Sequence, residues 1–326
     1  MGNAVDEPLS TACEGEFMPG IGVILNPYSR KYKNNPEMAK HMGFIVGDKA
    51  SCKATEDLAD LRRVAEEFKT RDIDILAING GDGTIHCTLT TFLNVYGNKP
   101  LPKIALLRGG TLNNVATTAN ITGSSEAILS HLLVKYHEDK PFETREIMLT
   151  KINEEYGFIF GMGVIYNFME AYYSKGNLTP FGAAINLIRS ISSALINGHL
   201  ARKMFARFDA EVVVNGTKWP FANYVALYTG SINQLGLNFR VYYLVDKNPD
   251  HFHAIGFSLP PRSILKYLPK MYLGKPAGCP NMIEEPAKEM MIKLKNPLPY
   301  TIDGDMKPAT DFFHITCGPK ITVIVR

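Results

Sequence analysis

The run Gly80-Gly81-Asp82-Gly83-Thr84 sets three glycines around one acid. Without Cβ atoms such a backbone can approach a bulky anion closely. Its amides, followed by a helix N-terminus, present positive partial charge to phosphate. An acid beside phosphates calls for a cation between them, so Asp82 implies Mg²⁺ held directly or through water. Thr84 adds a hydroxyl. Gly109-Gly110-Thr111-Leu112-Asn113-Asn114 repeats the design. Either run alone reads as a tight strand-to-helix turn, but two at one sheet edge can cradle a nucleotide from both sides. Other nucleotide signatures fail: there is no G-x-x-x-x-G-K-[ST], Gly161-Met162-Gly163 lacks a third glycine, and Gly20-Ile21-Gly22 precedes a strand instead of following one. Late in the chain, Ile302-Asp303-Gly304-Asp305 offers two carboxylates. Asp-Gly is a hairpin signal, and a carboxylate within reach of an alcohol can also take its proton. One segment can be both turn and site.

These residues need elements to hold them. Apolar runs predict strands at Ile21–Leu25, Phe44–Val46, Ile73–Ile78 and Ile104–Leu107. Thr55 suits a helix N-cap, with Leu58, Leu61, Ala65 and Phe68 on one face of the helix that follows. Ile85, Leu89, Phe92, Leu93 and Tyr96 mark a second helix closed by Gly97, and a third runs from near Ser124 to near Tyr136. Alternating strands and helices indicate a mostly parallel sheet, with both glycine runs at its carboxyl edge, where ligands bind in open α/β folds. From about Arg145 strand-like runs dominate: Glu146–Ile152, Tyr156–Phe160, Phe205–Val214, Trp219–Tyr228, Phe239–Leu244, Met290–Leu294 and Ile321–Val325. A helical stretch at Phe181–Ile196 interrupts them. The expected organisation is a polar lead (1–19), an α/β nucleotide-binding domain (20–143), and a mostly antiparallel β-sandwich or partly closed barrel (144–326).

Composition narrows the partners. The 326 residues carry 35 basic and 32 acidic side chains, a net charge of +3, too even for a nucleic-acid binder. Five scattered cysteines without a C-x-x-C pair indicate reduced thiols in the cytosol. The first nineteen residues lack the basic start and apolar run of a signal peptide, and Asp6 breaks the myristoylation pattern begun by Gly2. Phe181–Ile196 is too short and too polar to span a bilayer, being interrupted by Asn186 and Arg189.

The order Asn26-Pro27, Gly80 to Thr84, Gly110-Thr111-x-Asn113 and Ile302-Asp303-Gly304-Asp305 resembles the diacylglycerol kinase catalytic family, which includes bacterial lipid kinases and the sphingosine and ceramide kinases. The resemblance runs from about Gly20 to Arg326. It implies an active site in the cleft between the two domains, with ATP contacted by Asn26, Pro27, Thr55, Gly80 to Thr84, Gly110, Thr111 and Asn113, and Asp82 linked to Mg²⁺. It implies Asp305 as proton acceptor from a lipid alcohol such as diacylglycerol, with Asp303 sharing or orienting that role, and peripheral contact with the membrane. The chain departs from the family at Asn114, where a second acid is usual, and at Gln234, which brings no charge to a second metal site. Asp305 is one methylene shorter than the usual Glu. Little chain follows the last strand to return a segment to the first domain. Rival functions are phosphorylation of a soluble acceptor such as NAD, or binding without catalysis.

Several residues are expected to be ordinary. His86 reads as a solvated helix position, and His251 and His253 as surface histidines without a third zinc ligand. Three Asn-x-Thr sequons have no secretory context. Ile264 to Lys275, apolar and basic, is either a membrane-facing edge or a packed connector.

Overall fold

The computed structural model describes residues 20–26, 50–55, 57–110, 113–174, 199–236, 239–260, 263 and 266–325. The expected strand at Phe44–Val46, the helix at Phe181–Ile196, and Pro27, Thr111, Ile264 and Leu265 lie outside them.

The first half is built on β1 (Ile21–Leu25), β2 (Ala50–Ala54), β3 (Ile75–Asn79) and β4 (Lys103–Leu106), parallel and in the order β2-β1-β3-β4. Every residue of β1 and β3 is buried, as an unbroken apolar run requires when both faces of a parallel sheet are covered. The helices are α1 (Leu58–Arg71), α2 (Asp82–Tyr96), α3 (Asn114–Thr118) and α4 (Ser125–His137). α1 starts later than Thr55: Asp57 is its N-cap, accepting from the Asp60 amide at 2.8 Å. Leu58 therefore stands in the first turn, exposed, while Val64 takes a place in the buried stripe. Ser124 caps α4 through the Ala127 amide, as expected.

The second half carries β5 (Thr144–Ile152), β6 (Glu155–Gly157), β7 (Ile159–Gly163), α5 (Val164–Tyr173), α6 (His199–Met204), β8 (Phe208–Val214), β9 (Thr217–Lys218), β10 (Asn223–Tyr224), β11 (Ala226–Gly230), β12 (Phe252–Phe257), α7 (Leu268–Tyr272), β13 (Met282–Ala287), β14 (Glu289–Ile302) and β15 (Asp305–Ile324). Every ladder between two strands of this half is antiparallel. Phe160, Leu227, Ile292, Phe313 and Ile315 belong to its core. β14 runs beside β8 at its start and beside β7 at its end. The register shifts between Lys293 and Tyr300, where Pro297 and Pro299 remove ladder donors and let the strand bend. Phe239–Leu244, expected as strand, is largely turns; it packs Tyr242 against Gly230 of β11.

β15 joins the halves. Its end pairs in parallel with β4, Val323 with Ile104 and Ile324 with Ala105, making one 15-stranded hydrogen-bonded network. This corrects the expectation that little chain remains to return to the first domain, because the last strand is itself the return.

His253 on β12 is not a surface histidine. It is fully buried, and neither ring nitrogen has a hydrogen-bond partner among the described residues. Burial pushes it down to about 3. Its unfolded value lies near 6.5, so its contribution to stability is present above pH 6.5 and is lost as pH falls toward 3. Between pH 6.5 and 5 this costs about 2 kcal/mol at roughly 1.4 kcal/mol per pH unit. Urea denaturation of His253→Phe is expected to lack that loss, and equal pH slopes for the two proteins would refute it.

Candidate active site

The two glycine loops leave the carboxyl ends of β3 and β4 and meet face to face. A Cβ built on Gly110 would lie 2.3 Å from the Gly81 Cα, and one on Gly109 would lie 2.7 Å from the Gly80 amide. The glycines thus let two backbones touch. Asn113, left-handed at φ 51° and buried, closes the second loop: its Oδ1 accepts from the Gly110 amide at 3.0 Å and its Nδ2 donates to the Gly110 carbonyl at 2.9 Å. On the other side, Asn26 Nδ2 donates to Thr84 Oγ1 at 3.0 Å. The Thr55 amide donates to the Leu25 carbonyl at 3.1 Å, which places Thr55 at the same edge. These groups flank the point between β1 and β3 where the strand order reverses, the usual ligand crevice of such sheets.

Asp82 opens α2, whose N-cap Gly81 supplies no side-chain hydrogen bond. The first-turn amides of α2 are therefore left for an anion or solvent. The Asp82 carboxylate accepts from the Asn114 amide at 3.1 Å and the Val115 amide at 3.4 Å. It caps α3 from another loop, the job Asn113 leaves undone. Burial pushes Asp82 up to about 6 against the pull of those amides and of Arg108.

Asp303 and Gly304, both at positive φ, form the two-residue turn between β14 and β15. The Asp303 carboxylate is buried and accepts from the Phe158 amide at 3.0 Å and the Ile159 amide at 2.8 Å. Burial pushes it up to about 7, with His86 pulling the other way. Its oxygens are committed to holding the turn on β7. Asp305 is more open, and its Cβ would sit 3.8 Å from a Cβ built on Gly83. The second half thus brings an acid onto the first glycine loop.

Three further residues join this acid. Lys307 Nζ lies 3.0 Å from Asp305 and 2.6 Å from Glu155. Glu155 also meets His86 Nε2 at 3.0 Å, and His86 Nδ1 lies 2.7 Å from the Tyr156 carbonyl. His86, expected in solvent, is fully buried. A carbonyl and a carboxylate both only accept, so both contacts are hydrogen bonds only when both ring nitrogens carry hydrogen, as in the charged imidazolium. Burial opposes that charge, but Glu155, Asp303 and the Tyr156 carbonyl outweigh it and raise its pKa. The hydrogen bond from His86, followed by the bond and charge of Lys307, pulls Glu155 down to about 2 against its burial. Lys307 is raised in turn, Glu155 and Asp305 overcoming burial. The result is an alternating chain of charge, His86, Glu155, Lys307, Asp305. Lys307 was findable from sequence, being two residues after Asp305 on a strand and so on its face. Glu155 gave no local signal. Tyr173 of α5 also reaches the turn, donating to the Gly304 carbonyl at 2.9 Å.

His86, Cys87 and Asp305 bring ligand atoms within 4.8 Å of one another. Both His86 nitrogens are spent, however, and burial pushes the Cys87 thiol up to about 11, so this group is poorly suited to a metal. Asp82 fits a cation better, as a carboxylate whose charge its surroundings under-compensate.

A parallel α/β sheet with paired glycine loops, joined to an antiparallel half that delivers an acidic turn, is the two-domain architecture of diacylglycerol kinase-like folds. Residues 20–141 match the family model described as "Diacylglycerol kinase catalytic domain". A protein named "Putative lipid kinase" from Staphylococcus aureus (strain MSSA476) is 31% identical over 156 residues, 45% of this chain and 46% of that protein. One of the same name from Streptococcus pneumoniae is 26% identical over 178 residues, covering 52% and 56%. The chain spans about half the length of these curated relatives. A crystal structure titled as "a diacylglycerol kinases" from Bacillus anthracis superposes over 94% of this chain and 96% of that one, with a TM-score of 0.64 at 16% identity. That likeness is one of fold.

Proposed function

We propose that this protein is an ATP-dependent lipid kinase that moves the γ-phosphate of ATP to the hydroxyl of a lipid such as diacylglycerol. The observation that carries the reading is Asp305 lying against Gly83, an acceptor-side acid set on a phosphate-type loop. The lipid hydroxyl gives its proton to the Asp305 carboxylate as its oxygen bonds to the γ-phosphorus. The bond from that phosphorus to the β–γ bridging oxygen breaks, and ADP leaves with the electron pair. The first-turn amides of α2 and the backbone of both loops receive the phosphates. Asp82 would hold Mg²⁺, which when bound neutralises charge on the β- and γ-phosphates. Asp303 positions the turn, and Lys307 holds the Asp305 carboxylate.

A diacylglycerol-type acceptor lives in a bilayer. No described helix is long and apolar enough to cross one, so the reading has the protein meet its substrate from the side. The test is purified protein with Mg²⁺, labelled ATP and mixed micelles of diacylglycerol, monoacylglycerol, sphingosine or ceramide. One phosphorylated lipid is expected. Transfer to none of the four, or transfer to NAD with no lipid present, overturns the reading.

A further inference from the structure

We propose that the edge formed by residues 266–276 docks this protein onto an anionic bilayer surface. This deepens the lipid-kinase reading by naming the face that meets the membrane, but the surface can be tested without turnover.

The segment is amphipathic across its own thickness. Tyr267 and Met271 pack inward against the core. Tyr272 and Leu273 face out, 46% and 59% exposed. They are two of the few large apolar side chains left in solvent among the described residues, and they are adjacent. The geometry holds them there. α7 ends with Gly274 left-handed; the Lys275 amide donates to the Lys270 carbonyl at 3.0 Å and the Gly274 amide to the Met271 carbonyl at 3.3 Å. That pair of bonds fixes a helix end and leaves Leu273 at its tip. The Tyr272 ring packs edge-on against Phe239 at 5.2 Å between centroids, so its orientation is set before any partner arrives.

Charge selects the partner. From Asp250 to Glu284 the sequence has no acid between, yet it holds Arg262, Lys266, Lys270 and Lys275. Lys266, Lys270 and Lys275 are exposed, as is Arg240, whose backbone adjoins Gly274. Glu284, at the far end, is half-buried and engaged by Tyr243 and the Ala277 amide. Of the acids on the covering turns, Asp246 accepts from Asn233 and Asp250 pairs with Lys320 at 2.7 Å. An exposed Tyr-Leu tip ringed by lysines suits a headgroup region, where an aromatic ring and a leucine enter the acyl boundary and ammonium groups meet anionic lipid.

The experiment is co-sedimentation of the full chain, without ATP, with vesicles of phosphatidylcholine alone or with added phosphatidylserine. Binding is expected to need phosphatidylserine and to weaken with salt. Lys270→Glu/Lys275→Glu is expected to lower it by roughly tenfold or more, since each lysine near the surface is worth about 1 kcal/mol. Tyr272→Ser/Leu273→Ser is expected to lower it by a similar factor through lost insertion. Lys103→Glu/Lys293→Glu, an equal charge change on other exposed lysines, is expected to bind as wild type. Lys270 also donates to the Ala277 carbonyl at 3.2 Å and the Tyr272 ring packs on Phe239, so melting curves check the folding of each variant. No vesicle binding, equal loss in the control pair, or unchanged binding by both edge variants overturns the proposal. So does a concentration-dependent dimer that Tyr272→Ser/Leu273→Ser dissolves, which would make the edge a self-interface. If the edge variants still turn over a short-chain acceptor dispersed as monomers, the docking role stands apart from catalysis. If no lipid is phosphorylated by any variant or by wild type, the kinase reading fails while the vesicle result is judged alone.

Discussion

Asp305→Asn is expected to lower kcat for lipid phosphorylation by about 10²- to 10⁴-fold, the usual contribution of a positioned general base. Nucleotide affinity is expected to stay at the wild-type value. Asn fills the same volume but cannot take the hydroxyl proton at neutral pH. The change breaks none of the contacts that hold the phosphate-binding parts: the loop contact at Gly81 and Gly110, the Asp82 bonds to the α3 amides, and the Asn26–Thr84 bond are all made by residues other than Asp305. Lys307 keeps its stronger partner, Glu155, at 2.6 Å, so the variant should fold. Steady-state kinetics with Mg²⁺, ATP and diacylglycerol micelles, beside calorimetric titration of ATP, separate the two effects. Asp303→Asn should behave differently. It removes the anionic acceptor for two buried amides, so stability falls along with activity. Near-normal turnover in Asp305→Asn would place the proton acceptor elsewhere.

The glycine loops were legible because everything that defines them is local. A strand, a glycine turn and a helix start follow one another within a few residues, and the structure joins the two loops where sequence order alone would put them. What joins the halves was not legible. β15 reads as strand only at its apolar end, Ile321–Val325. Upstream, Met306-Lys307-Pro308-Ala309 and Gly318-Pro319 break the alternation, yet pairing with β14 and β5 carries the strand through. Tertiary context overrides local propensity here. β13 hid for a related reason: Pro286 and two glutamates dilute the apolar pattern. The converse error came at Phe239–Leu244, where a short apolar run covers the sheet instead of joining it. At the site, Asp82, Asp303 and Asp305 stood out as acids beside glycine. His86 did not, because what makes it special is Glu155, which is 69 residues away in the chain. Burial of a histidine next to a carboxylate is a property of packing, and no spacing rule encodes it.

That packing carries the second large effect. Glu155→Gln is expected to cost about 3 kcal/mol of folding stability near pH 5.5, the low end for removing one partner of a buried ion pair, because Glu155 keeps some solvent contact. His86 is the reason. In the wild-type protein its raised pKa gives stability that is fully present below the unfolded value near 6.5 and is lost as pH climbs through the folded value. Glu155 adds the opposite limb. Held at about 2 in the fold, it contributes stability above its unfolded value near 4.3 that is lost as pH falls toward 2. The pair therefore works hardest between about pH 4.3 and 6.5. With Gln at 155, burial acts on His86 with less opposition, its pKa falls, and acid then destabilises the fold. The stability difference between the two proteins should be largest near pH 5.5 and smaller at pH 8, where His86 can be neutral in both. Urea denaturation at the two pH values reads this directly, and His86→Asn in the Glu155→Gln background should recover part of the loss, since no buried charge is then stranded. A Glu155→Gln protein as stable as wild type at pH 5.5 would mean that His86 is neutral. The alternating chain would then end at Lys307, leaving one lysine between two carboxylates and a net negative cluster beside the first glycine loop.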